Sequence, residues 1–280
     1  MALVIAEVFA DAVNAAMDVA LRVGRVATDF TEMVDEITTY GESVHFPTID
    51  RIADAGTVTK GTPLVPSAVS MTDAEAEIKQ VGNSVRIYDR DAVQVKGALK
   101  DKLAEQLGQT MAKAVDKDLI EAIKTDVVYT DSVEELTADA FDNAFNVFGD
   151  ARDDDEFAGI IINSGLRNAF INMDNFTLKT KTMAQEGNGI VANGVIGYYG
   201  EIPVIMSNNG TAYKDGDNQD VLMVAIVKKN ALGYVYQKQA QIEEEREGKL
   251  LATDLIASEL YATKLVDPSG VSVLEVPANP

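Results

Sequence analysis

The chain has 280 residues, 46% of them apolar, and a formal charge of −21 at pH 7. That size and apolarity suit a folded protein with a substantial core, while so acidic a balance argues against general affinity for nucleic acid or an anionic membrane surface. With no cysteine and one histidine, disulfides, thiolate nucleophiles and ordinary zinc sites lack the residues to form.

The opening "MALVIAEVFADAVNAAMDVALRVG" has the apolarity of a signal peptide but no basic start, and Glu7, Asp11 and Asp18 interrupt it. No run approaches the roughly 20 apolar residues of a membrane span. Glu7, Asp11, Asn14, Asp18, Arg22 and Arg25 recur at steps of three and four, which predicts an amphipathic helix with one polar stripe. The wide apolar remainder must dock, on its own domain or on a neighbouring subunit.

In "ESVHFPTI" the period changes to two, predicting a strand with His45 on its surface or half buried. Hydrophobic rhythm vanishes through "DRIADAGTVTKGTPLVPSAVS" and returns in "AEIKQVGNSVRIYD". Two strands with so long an irregular connection predict an extended hairpin that projects and contacts something. Leu99, Leu103, Leu107, Met111, Val115, Leu119 and Ile123 then recur at every fourth position, giving a helix roughly 40 Å long with one buried face.

The second half alternates. A helix over "ADAFDNAFNVFG", a strand over "FAGIIIN", a short helix over "SGLRNAFINM" and the glycine-rich "GNGIVANGVIGYYGEIPVIMSNNG" precede strands "DVLMVAIVK" and "ALGYVYQ". Strand-like runs close the chain around a turn at Asp267–Gly270. The class is mixed α+β, without internal repeats or an obvious interdomain linker.

Candidate chemistry is sparse. Gly187-Asn-Gly189-Ile-Val-Ala192 matches the dinucleotide pattern G-x-G-x-x-A, but no buried strand precedes it and no helix follows. "DGDNQD" (Asp215 to Asp220) begins like a calcium loop, yet Asp220 replaces the turn glycine and Ile226 the bidentate glutamate. The runs Asp153 to Glu156 and Glu243 to Glu247 read as solvated segments, the second partly neutralised by Arg246. No catalytic, cofactor-binding or metal-binding residue emerges, which is the expectation for a non-enzyme.

The order of elements resembles the major capsid proteins of tailed phages, which share the Hong Kong 97-type fold. "GESVHFPTI", "GNSVRIYDRDA" and "LAEQLGQTMAKAVDKDLIEAI", with its pair Ala112 and Asp116, carry the resemblance, together with "IIINSGLRNAF", "GVIGYYGEIPVIMSNN" and the closing segment from Glu243. The resemblance implies an N-terminal arm (1–40), an extended loop (41–90), a peripheral domain with a spine helix (91–130), an axial domain (131–240) and closing strands of the peripheral domain (241–280). It implies a shell subunit of the virion capsid, assembled in the host bacterial cytoplasm into hexamers and pentamers that enclose double-stranded DNA without sequence-specific binding. Portal and scaffolding proteins are the implied partners. Met1 leads almost directly into the arm, so scaffolding is expected from a separate protein or not needed.

Arg51 and Lys60, basic residues on the projecting loop of an acidic protein, are the candidates for contacts across subunits. Some relatives fuse a loop lysine to a neighbour's asparagine, but Lys60 reads more simply as solvated or salt-bridged. The early glycines, Gly187, Gly189 and Gly194, are expected in a loop near the capsomer centre, with Gly197 and Gly200 shaping a turn into "IPVIM". Two alternatives remain open: an encapsulin-like nanocompartment shell of the same fold, and a soluble nucleotide-binding enzyme using Gly187–Gly200.

Overall fold

The computed structural model describes residues 2–34, 42–49, 57, 71–90, 99–178 and 194–278. Helix α1 (Ala2–Ala20) opens the chain, followed by the short β1 (Thr28–Asp29), β2 (Ser43–Ile49), β3 (Met71–Glu77), β4 (Lys79–Tyr88) and the spine helix α2 (Leu99–Asp126). After β5 (Tyr129–Ser132) come α3 (Ala138–Phe145), β6 (Phe157–Ile162), α4 (Arg167–Ile171), β7 (Phe176–Leu178), β8 (Val195–Tyr199) and β9 (Ile202–Met206). β10 (Ala212–Lys214), β11 (Asp220–Lys228), β12 (Leu232–Glu247), β13 (Ala252–Leu265) and β14 (Val271–Pro277) complete it.

Two sheets organise these elements. The smaller has the order β1-β12-β13-β4; the larger runs β5-β14-β11-β6-β9-β8-β7, with β10 added on β11. The larger sheet is apolar on both faces because each face is covered, so its central strands read as nearly continuous apolar runs. Ile161, Met223, Ala225 and Val273 join the cluster around the spine. Their alternates Ile160, Ile162, Val224 and Leu274 pack with Phe141, Phe145 and Phe170 of α3 and α4. Thr137 caps α3 by accepting a hydrogen bond from the Ala140 amide.

The spine buries the expected stripe from Leu107 through Met111, Val115 and Leu119 to Ile123. It also buries a second stripe, Ala104, Gly108, Ala112, Asp116 and Ile120, because α1 lies along it as well as the sheets. At Gly108 the helices nearly touch: an added Cβ would stand 2.6 Å from the Val13 carbonyl oxygen and 2.8 Å from Ala16 Cβ. Phe9, Val13, Met17 and Leu21 of α1 and the loop beyond it are buried on this surface, so the arm helix docks on its own chain. Asp11, Asp18 and Arg22 of its expected polar stripe are exposed.

Three expectations change. The return strand of the hairpin is two strands: β3 pairs with β2, from Ser43 opposite Glu77 to Ile49 opposite Met71, whereas β4 pairs with β13 in the smaller sheet. The closing segment 241–280 also divides, since β14 pairs with β11 and β5 in the larger sheet while β12, starting at Leu232, pairs with β13 in the smaller. Alternation runs through the first break and the turn at Asp267–Gly270 marks only a bend at the second, because the choice of sheet is made by partners distant in sequence. Finally, Gly197 lies within β8, where the Phe176 ring leaves no room for a side chain, and only Gly200, at φ +60°, shapes the turn into β9.

Candidate assembly site: the arm clamp and the hairpin

Where α1 ends, the backbone amides of Arg22, Val23 and Gly24 converge on the fully buried Asp116 of the spine. Val23 donates to Oδ1 at 2.9 Å, Gly24 to the same atom at 3.1 Å, and Arg22 to Oδ2 at 3.2 Å. Asn209, beyond β9, donates its Nδ2 to Oδ2 at 3.3 Å. Burial pushes the Asp116 carboxyl up, against the donors from Gly24, Arg22, Asn209 and Val23 that favour its ionised form. The Arg22 guanidinium meanwhile donates to the Met206 carbonyl at the end of β9, 3.0 Å away. One carboxylate and one arginine thus tie the arm, the spine and the larger sheet together at a single point.

Among the described residues, the β2–β3 hairpin pairs with neither large sheet. Its base is held by Val44, Phe46 and Ala76, which pack on Val235, Ala262 and Val266 of the smaller sheet. Phe30 adds an edge-to-face contact to Phe46, with ring centroids 5.7 Å apart. His45 is exposed and stands opposite Glu75, as its place in an alternating strand requires. Arg51 and Lys60 lie in the connection between β2 and β3, outside the described residues, as do Gly187 and Gly189.

The acidic motifs have structural employment. Asp215 Oδ1 accepts amide hydrogen bonds from Asp217 and Gln219 at 3.0 and 2.7 Å, closing a turn between β10 and β11. Asp154 accepts from the Glu201 amide, and Glu156 pairs with Lys228 at 2.7 Å. Arg246, within the acidic tail of β12, makes a two-pronged contact with Asp89, each prong 2.6 Å. Residues 194–210 of the glycine-rich stretch form the β8–β9 hairpin and the segment after it, with no helix start to hold a pyrophosphate.

Sequence reasoning flagged Asp116 only as half of a motif and overlooked Gly108 and Glu259. Each carried a signal: a carboxylate or a glycine in a phase otherwise reserved for buried apolar residues.

Solved structures share this arrangement nearly end to end. The head structure of Helicobacter pylori bacteriophage KHP40 matches with a TM-score of 0.67 at 12% identity, covering 92% of this chain and 88% of that one. The capsid of Ralstonia phage GP4 gives 0.66 at 14% identity over 91% and 88%, and Mycobacterium phage Che8 gives 0.56 at 19% over 90% of both chains. Arm, hairpin, spine and two sheets are therefore the Hong Kong 97-type capsid fold. The family model described as phage capsid protein matches residues 72–274, and the chain belongs to that family. It is a structural protein, the major head protein of a phage shell. No curated protein matches the chain by sequence.

Proposed function

We propose that the chain assembles with copies of itself into hexameric and pentameric capsomers of a closed icosahedral head that holds double-stranded DNA. The observation that carries this reading is the isolated hairpin. A two-stranded ribbon is marginal on its own, and β2–β3 has a packed base but, among the described residues, belongs to no larger sheet, so it calls for a neighbouring subunit as support. The charge of −21 fits a container that must not grip the nucleic acid it packs and releases. Portal and scaffolding proteins are its partners in this reading, assembly takes place in the host cytoplasm, and the chain performs no catalysis.

Arg51 and Lys60 make ion pairs with carboxylates of the neighbouring subunit. An exposed pair contributes at most about 1 kcal/mol, but a closed shell repeats it in every subunit. Electron microscopy of the purified chain tests the whole reading: closed shells or capsomer rings support it, and a compact monomer overturns it. A co-purifying enzyme cargo would point to a nanocompartment instead. R51E and K60E are expected to impair particle assembly more than they lower the thermal unfolding of the subunit; normal particles from both reversals would defeat the assignment of these two residues.

A further inference from the structure

On β13, Leu255, Ala257, Glu259 and Tyr261 fall in one phase, the phase that faces the helices. Leu255 and Ala257 share a buried cluster with Leu107 of α2 and with Phe9 and Val13 of α1, which lies on the neighbouring β12, while Tyr261 shares one with Met17 and Met111. Glu259 lies between these two sets and is 1% exposed. Among the described residues, no donor reaches either of its carboxylate oxygens, and the buried hydroxyl of Tyr236 on the neighbouring strand is equally without a partner. Tyr236 stands opposite Tyr261 in the β12–β13 register, with ring centroids 6.3 Å apart. Two polar groups without partners thus sit under the seam between the arm helix and the spine, where each costs free energy that an apolar residue would avoid.

Among the described residues, the surrounding charges offer no cation to Glu259. From β12 it is faced by Tyr236, next to Tyr234; from β13 by Tyr261, whose hydroxyl donates to Asp118 of the spine at 3.0 Å. The nearby lysine, Lys79 of β4, is engaged with that same Asp118 oxygen at 3.2 Å. Asp18 of α1 and Asp29 of β1 add negative charge around Tyr236. Burial alone pushes the Glu259 carboxyl up to about 7.

We propose that Glu259, with Tyr236, is a proton-operated latch: as a neutral acid it lets α1 lie against the smaller sheet, and on ionising it loosens that contact. A carboxylate held neutral by burial favours the docked state fully below its ordinary value of 4.5, and this advantage is lost as pH rises through about 7. Asp116 anchors the end of α1 throughout, so the helix pivots while the chain stays attached. The consequence for a shell subunit is an arm whose freedom to leave its own chain is set by pH near neutrality.

Hydrogen–deuterium exchange of the full-length chain, corrected for intrinsic rates, tests this. Between about pH 5.5 and about pH 8.5, protection of residues 9–20 relative to residues 160–171 is expected to fall on the order of tenfold in the unaltered protein. In E259Q it should stay constant, and E259M serves the same purpose should the glutamine variant fail to fold. A fall smaller than about threefold in the unaltered protein, or an equal fall in the variants, overturns the latch.

Discussion

Around the larger sheet, α3 and α4 bury Phe141, Phe145 and Phe170 against Ile160 and Ile162, and the buried Asn163 and Thr211 are neutral and partnered. Asn163 donates to the Thr211 hydroxyl at 2.9 Å, and that hydroxyl donates to the Ser207 carbonyl at 2.6 Å. Where α1 and α2 lie against the sheets the buried polar groups are carboxyls: Asp116, satisfied by four donors, and Glu259, satisfied by none. A neutral network leaves stability indifferent to proton activity near pH 7, whereas a buried carboxyl couples the two. The first half is built as a fixed block, and the second carries adjustable joints where the arm meets the spine.

Phe141→Ala is the most severe test of that contrast. The ring is fully buried and stands edge-on to Phe145, Phe170 and Tyr199, at centroid distances of 5.3, 5.0 and 4.8 Å. Its removal should cost about 4 kcal/mol by denaturant unfolding, with no change in the pH dependence of stability. A pH-dependent loss would break the division between the halves.

Asp116→Ala comes next. It leaves two buried backbone amides and a partly buried third without an acceptor, a loss of about 3 kcal/mol by the same measurement. The contrast sharpens if exchange protection falls in α1 and the loop after it while Phe157–Ile162 stays protected. Uniform loss across both sheets would show that the clamp supports the whole subunit. Gly108→Ala is the mildest, since the new methyl collides with the backbone of α1 at Val13. A cost of about 1–3 kcal/mol is expected, seen as faster exchange in α1 alone. Unchanged exchange there would mean that the helices separate freely.

Much of this was legible beforehand. The four-residue recurrence from Leu103 to Ile123 announced the spine, and the alternation of "ESVHFPTI" announced β2, because both are local consequences of backbone periodicity. The alternation through Ile78 could not reveal that β3 and β4 serve different sheets, since pairing is decided by residues as far away as Ala252–Tyr261. Glu259 was legible in principle, as the acidic member of the inward phase Leu255-Ala257-Glu259-Tyr261. Its meaning required knowing that this phase faces helices and not solvent.

The strand pairing also fixes an order of events. β1, β4 and β5 all come from the first half of the chain, and their partners in the large sheets are β12, β13 and β14. Neither large sheet can close until the final quarter of the sequence has left the ribosome, so the arm and hairpin emerge well before the platform on which they act. A subunit that needs β12, β13 and β14 to complete both sheets has no finished platform until these late strands are made.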